Sequence, residues 1–332
     1  MKLKAGIIGL GRIASLYEED AMARQYYPYL THAGSYSKHH SVELVCGADI
    51  NKKRLKKFGA MWGVNKLYTD YNRMLEENNL DILSICTYSD LHYDIIKSAS
   101  KFVKVIFCEK PFARNSQEIK SIIKLENRTG VKIAINLYRE YDKSHIRIRN
   151  SLMTGRYGKI QRINCNYGKG LRNIGTHLIG YLIGTLGVPE KINVLSKRMY
   201  RGNEEFTYDV YFEFKKGIPV LIQPCDFNNY RLFEMDFICQ KGRIQILDEG
   251  LSIKMFEVRK NRAESGTYEL IESRRNLKST IGHALYYAVE HLVELTRNKK
   301  LKPIVSPETY LNLQMIIEEI ERQGREIPCL QN

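Results

Sequence analysis

The chain has 332 residues, 43% hydrophobic and 27% charged, which excludes a disordered polypeptide and leaves room for two domains with sizeable cores. No apolar run approaches the ~20 residues of a membrane span, and seven cysteines with no CxxC pair or other ligand spacing exclude a structural metal and suit a reducing cytoplasm. The net charge of +15 raises nucleic acid as a partner, with "NKKRLKK" at 51–57 as its best support, but no nucleic-acid motif accompanies the charge and attraction of an anionic small substrate is the reading carried forward.

The opening "MKLKAGIIGLGR" reads as a first strand running into a Gly-rich turn, not as a signal peptide. Near-continuous apolar runs follow at 3–9, 42–48, 81–86, 103–108 and 131–136, the pattern of strands covered on both faces. Helical segments are predicted between them at 12–18, 51–60, 70–78, 91–100 and 116–128, with Asp70 and Ser116 as N-caps. This alternation predicts a doubly wound α/β domain with a parallel sheet.

After about residue 140 the pattern changes. A helix is predicted at 142–154, then the extended "KIQRINCNY", then a helix around His177. Longer alternating runs from "KINVLSKRMY" to "SIKMFEVRK" predict a large open, mainly antiparallel sheet, and helices at 279–298 and 306–323 close the chain. The expected division is a Rossmann domain over 1–138 and an α+β substrate and oligomerisation domain over 139–332, whose last helix is free to pack back on the first domain. An open sheet face would expose a large apolar area, so a homodimer or homotetramer through that sheet is expected.

"GLGRIA" at 9–14 gives G-x-G-x-x-A directly after the first strand. Gly9 permits the tight turn, Gly11 lets the backbone approach a pyrophosphate, and Ala14 allows close packing; Arg12 and Ile13 complete the turn. The phosphates are expected at the positive end of the following helix. Asp49, after the second strand, is placed to hold the adenosine ribose, although an insertion, "YEEDAMARQYYPYLTHAGSYSKHH", lengthens the usual spacing. A carboxylate repels a 2′-phosphate, so NAD is favoured over NADP; nearby Lys52 and Arg54 act the other way.

Together with "CEKPFARN" (108–115), "CTYSDLH" and "GTHLIG", this turn resembles the glucose–fructose oxidoreductase / inositol dehydrogenase / MocA family over nearly the whole chain. The resemblance implies reversible NAD(P)-dependent sugar oxidation, with Lys110 as the catalytic lysine and His177 as the active-site histidine. It places Glu109 at the nicotinamide ribose, Pro111 in a turn whose Lys-Pro peptide is cis in several relatives, and Thr87, Ser89 and His92 in the loop lining the cofactor. Arg139 matches the basic position where the chain crosses into the second domain. Two departures stand out: Asn173 and Gly180 occupy positions where the family usually has Asp.

The chemistry stands without the family name. Removing a hydride from a secondary alcohol needs a base for the hydroxyl proton, and the reverse needs an acid. An exposed lysine is a poor base at neutral pH, whereas burial and a neighbouring positive charge would make Lys110 usable. His177 would share the same hydroxyl, with Asn173 one helical turn away. A lone His beside apolar residues ordinarily packs, so its role depends on Lys110. Tyr167, Lys169, Arg172 and Thr176 are candidate contacts to a sugar or nucleotide-sugar substrate. Two rivals remain: an NAD-dependent glycosidase, and a catalytically silent sugar or nucleotide sensor.

Overall fold

In the computed structural model, which describes residues 2–202, 205–274 and 277–330, the chain divides into two units, Met1–Asp142 with Gly282–Leu311, and Lys143–Ile281 with Asn312–Asn332.

The first unit holds a six-stranded parallel sheet of β1 (Leu3–Ile8), β2 (Val42–Ala48), β3 (Lys66–Tyr68), β4 (Ile82–Ile85), β5 (Val105–Cys108) and β6 (Lys132–Ile135), in the order β3-β2-β1-β4-β5-β6. Every residue of β4 and β5 is buried, as strands covered on both faces must be. Its helices are α1 (Ala21–Tyr26), α2 (His32–Lys38), α3 (Lys52–Trp62), α4 (Tyr71–Glu77), α5 (His92–Ala99) and α6 (Ser116–Thr129). Asp70 caps α4 as expected, but Asn115, not Ser116, caps α6 by accepting the Glu118 N–H.

One expected helix is absent. Residues 12–15 form turns and Leu16–Glu19 a single 3-10 turn, because Ser15 leaves helical geometry at φ −154° and its hydroxyl accepts from Trp62 Nε1 at 2.8 Å. The insertion supplies α1 and α2 instead, and His32–Tyr36 of α2 are buried throughout.

In the second unit, α7 (Lys143–Met153) and α8 (Thr176–Leu186) accompany β7 (Ile160–Tyr167), β8 (Lys191–Arg198), β9 (Thr207–Phe214), β10 (Ile218–Pro224), β11 (Phe233–Cys239), β12 (Gly242–Leu247), β13 (Ser252–Lys260), β14 (Tyr268–Glu272) and β15 (Cys329–Leu330). The nine strands run β14-β13-β12-β11-β7-β10-β9-β8-β15, antiparallel except at β7–β10 and β8–β15. One face buries Ile163, Cys165, Phe212, Val220, Met235, Phe237 and Ile244. Tyr181 of α8 packs on it, its ring centroid 6.3 Å from that of Phe237.

The opposite face differs from expectation. Its positions alternate with the buried ones and carry Arg162, Asn164, Asn166, Asp209, Glu213, Glu234, Asp236 and Arg243 beside Leu221 and Ile238. Arg243 grips Asp236 at 2.7 and 2.6 Å, and Arg198 and Ser196 both bind Asp209. The face mixes these charged groups with further half-buried apolar side chains, Tyr211, Leu247 and Phe256.

Two further helices, α9 (Ala284–Arg297) and α10 (Pro307–Gly324), lie between β14 and β15 in the chain; α9 belongs to the first unit, and the residues of α10 are divided between the two units.

Candidate functional site

In the first sheet the chain leaves β1 toward β2 on one side and later returns to β4 on the other, so the loops after β1 and β4 diverge at their carboxyl ends. Such a switch point is where open α/β sheets bind ligands. Gly9 sits there at φ +83°, and a Cβ on it would stand 2.8 Å from the Cys86 carbonyl and the Thr87 nitrogen. Only glycine fits. A Cβ on Gly11 would meet nothing within 4 Å, so that side of the turn is open to a ligand. Ala14 is fully buried, Ile13 is half-buried, and exposed Arg12 lays its guanidinium 4.4 Å from the Tyr17 ring centroid. With no α-helix following, phosphates would meet the turn's own backbone N–H groups rather than a helix terminus.

Asp49 follows β2 and is 8% exposed. Its Oδ2 accepts the Leu10 N–H at 2.8 Å and its Oδ1 the Asn51 N–H at 2.8 Å. The carboxylate thus pins the Gly-rich turn, and each oxygen keeps a lone pair for a ribose hydroxyl. Arg54 Nη1 lies 3.7 Å from Oδ2.

The loops after β4 and β5 complete the group. Thr87 and Ser89 are half-buried beside the Gly9 turn. His92 is 1% exposed and stands between two carbonyls, Thr87 O at 3.1 Å from Nε2 and Phe112 O at 3.2 Å from Nδ1. Burial lowers its pKa and keeps it neutral, so it donates to one carbonyl at a time. His92 therefore fastens the two loops together. The Lys110–Pro111 peptide is cis, and Lys110 is half-buried, its N–H donating to Glu109 Oε2 at 3.3 Å. Arg139 is 1% exposed with its guanidinium 4.6 Å from the Tyr138 ring centroid, a buried cation rather than an open substrate ligand.

Sequence reasoning missed a buried chain behind Glu109. His32 places Nε2 2.8 Å from Glu109 Oε1 and Nδ1 2.8 Å from Ser84 Oγ, which lies 2.7 Å from Tyr36 Oη. Asn136 Nδ2 donates to the same Glu109 oxygen at 2.6 Å. Burial pushes the Glu109 carboxyl up, but the hydrogen bonds of His32 and Asn136 and the charge of Lys110 outweigh it and hold it below the usual carboxylate range. Two signals pointed here: Ser84 interrupts an otherwise apolar buried strand, and His32 and Tyr36 stand one helical turn apart.

In the second unit, Leu171–Gly175 form a π turn that runs into α8. Such turns gather at functional sites, and here the turn carries Asn173 while His177 stands in the first turn of α8. Glu205 holds the turn, accepting the N–H groups of Arg172 at 2.7 Å and Asn173 at 3.1 Å. Gly170 makes room for it, since a Cβ there would lie 2.3 Å from the Glu205 side chain. His177 is 5% exposed, and Gly180 is half-buried.

Three of the expected substrate contacts are otherwise occupied. Tyr167 is fully buried, its hydroxyl donating to Tyr208 O at 3.1 Å and accepting the Tyr208 N–H at 2.9 Å. Arg172 forms a two-point pair with Glu321. Thr176 Oγ1 donates back to Arg172 O at 2.7 Å. Lys169 alone is exposed, at φ +57° with Nζ 5.7 Å from the Phe227 ring centroid.

The first unit fits a dinucleotide: an open Gly11 flank, Asp49 with spare acceptor capacity, and a buried Asn136 Oδ1 with no hydrogen-bond partner among the described residues. Residues 3–137 match the GFO_IDH_MocA oxidoreductase family, described as having an NAD-binding Rossmann fold. A stretch of 157 residues, 47% of the chain, is 24% identical to myo-inositol 2-dehydrogenase of Thermotoga maritima and covers 42% of that protein, so the chain spans under half the length of this curated relative. A putative NADPH-dependent oxidoreductase of Desulfitobacterium hafniense has a similar fold, with a TM-score of 0.82 at 17% identity over 98% of this chain and 96% of that one. The WlbA dehydrogenase of Bordetella pertussis, solved with NADH and UDP-GlcNAcA, gives a TM-score of 0.74 at 16% identity over 98% and 97%. Over residues 3–137 the chain matches the NAD-binding Rossmann domain of the glucose–fructose oxidoreductase / inositol dehydrogenase / MocA family of oxidoreductases.

Proposed function

We propose that the protein is an NAD-dependent oxidoreductase acting on a secondary alcohol or ketone of a sugar or nucleotide sugar. The observation that carries the reading is the meeting of the Gly9 turn with the loops after β4 and β5, where Glu109, Lys110 and cis-Pro111 stand at a sheet switch point. A bound nicotinamide would supply or accept the hydride. Gly9 and Gly11 would admit its pyrophosphate to the backbone, and the two oxygens of Asp49 would take the adenosine ribose hydroxyls. Glu109, with 12% of its side-chain surface accessible, would accept from the nicotinamide ribose. Lys110 would hold the substrate's hydroxyl proton at Nζ and return it in the reverse reaction. His177 is proposed as a second proton carrier, with Asn173 four positions earlier on the π turn.

For the substrate, the +15 charge and exposed Lys169 favour an anionic molecule, hence a nucleotide sugar over a free polyol. The WlbA neighbour's UDP-GlcNAcA is in keeping with that preference. Use of NADP has one specific support, the Arg54 cation beside Asp49. Net NADH formation or consumption tests the whole reading, with nucleotide sugars, inositol and glucose compared. Lys110→Ala should abolish turnover while NADH affinity stays within about tenfold, as expected when a proton-transfer group is lost. Wild-type kcat in that variant would refute the role of Lys110. Release of an aglycone without net NADH would identify a glycosidase, and binding without any turnover a sensor.

A further inference from the structure

The inserted segment before β2 reaches the interior of the first unit through His32 and Tyr36. Thr31 caps α2 by accepting the Gly34 N–H, and the backbone docks on the nucleotide turn, His32 N–H to Ile13 O at 3.2 Å and Ala33 N–H to Ala14 O at 2.9 Å. His32 is left 1% exposed, its ring tilted on Phe107 at a 5.0 Å centroid distance and wedged between Ser84 and Glu109. With Glu109 ionised, the Nε2 proton must lie toward it. For a neutral ring, Nδ1 accepts from the Ser84 hydroxyl, which in turn accepts from Tyr36. Burial pushes the Tyr36 phenol up, so it keeps its proton and serves as donor at the head of the chain. Every member is then satisfied in one direction, the condition under which a buried polar network rigidifies a site.

We propose that His32 is a positioning residue for cofactor binding: it holds the Glu109 carboxylate ionised and in one rotamer to receive a ribose hydroxyl. This rests on the reading of Glu109 as a nicotinamide-ribose contact. Asn136 alone gives Glu109 Oε1 one neutral donor. The remaining titratable groups facing Glu109 are Lys110, His92 and the thiols of Cys86 and Cys108. Burial lowers His92 and raises both thiols, so none of these three gains or loses charge near neutral pH. Without His32, burial would dominate at Glu109, and its carboxyl would titrate toward neutrality.

NADH titrations of the full chain by fluorescence, from pH 6 to 8, decide the matter. The unaltered protein gives the reference profile across this range. His32→Leu should weaken NADH binding about tenfold at pH 8 and add a further loss toward pH 6 as Glu109 takes up a proton. His32→Gln, whose amide spaces a donor and an acceptor much as imidazole does, should restore affinity to within about threefold and flatten the profile. If His32→Leu does not fold, His32→Asn, polar but too short to bridge Ser84 and Glu109, is read by the same criteria. A folded His32→Leu or His32→Asn with unaltered affinity and a flat profile, while Glu109→Gln weakens NADH, overturns the positioning role alone. Unaltered NADH affinity in Glu109→Gln instead overturns the ribose reading beneath it.

Discussion

Arg172 and Glu321 face each other as a two-point pair, with Nε 2.7 Å from Oε1 and Nη2 2.6 Å from Oε2. The pair is half-buried, with side chains 36% and 28% exposed, and Arg172 spends two donors on it. Arg172→Ala should therefore lower stability by about 1 kcal/mol, the scale of a well-aligned pair at a partly exposed site. Glu321→Gln should do much the same, and the substrate KM should stay within about twofold. Denaturant melts and initial rates on the three proteins check this. A raised KM without loss of stability would return Arg172 to the substrate.

The two glycines of the nucleotide turn should separate folding from binding. Gly9→Ala forces a Cβ into the Cys86 carbonyl at φ +83° and should cost at least ~2 kcal/mol of stability. Gly11→Ala meets no protein atom within 4 Å, so the melt should move little while NADH binding weakens at least about tenfold. Thermal unfolding beside NADH titration distinguishes the two. Equal NADH affinity in Gly11→Ala would mean that no phosphate approaches this turn.

Cofactor choice should hinge on Asp49 and Arg54. NADH should bind more tightly than NADPH, and Asp49→Ser should narrow the gap by removing the charge that repels a 2′-phosphate. Arg54→Ala should widen it, since the guanidinium 3.7 Å from Asp49 is the nearest paired cation. Competitive titration of both cofactors measures the ratio. Tighter NADPH binding by the unaltered protein would refute the assignment.

Glu126 of α6 carries a strained charge. Its Oε1 accepts the Ile133 N–H at 2.9 Å, and burial, with Glu308 also nearby, raises its pKa from 4.5 to about 7. The folded value lies above the unfolded one, so its favourable contribution is complete below the unfolded value and lost as pH rises through the folded value. Discounted for partial exposure, the cost of the charge at pH 8 is about 2 kcal/mol. Glu126→Gln keeps the acceptor for Ile133 and should raise stability by roughly that amount at pH 8, with little change at pH 4. Paired melts at the two pH values test it; equal effects at both would show that the carboxylate is well solvated.

The parallel sheet was legible because β5 is apolar along its whole length and β4 is so but for Ser84, and the open sheet because its strands alternate. What escaped was tertiary. No periodicity announces the short β3, β14 or β15, whose pairing depends on neighbours already in place. The helix predicted at 12–18 is interrupted at Ser15, where φ is −154° and the hydroxyl accepts from the distant Trp62. At the site, the Gly9 turn was readable from motif chemistry, whereas the bonds of Tyr167 to Tyr208 and of Arg172 to Glu321 were not. His32 lay unread in an insertion, since its partners Ser84 and Glu109 are 52 and 77 positions away.

The first unit is closed by chain that follows the second. β6 is the last strand in its sheet, and its Ile135 N–H donates to Val305 O at 3.0 Å, while Lys132 Nζ reaches Leu295 O at 3.0 Å. Ala284, Leu285, Ala288, Val289 and Leu292 of α9 are buried in that same unit. A ribosome therefore releases all of β7–β14 before it releases the residues that seal the nucleotide-binding half. During synthesis the exposed flank of β6 must wait, a sheet edge open to wrong partners for the time needed to make some 170 residues at ~5–20 per second. A nascent chain halted near residue 280 should accordingly be protease-sensitive around β6 and become resistant only once residue 311 has emerged.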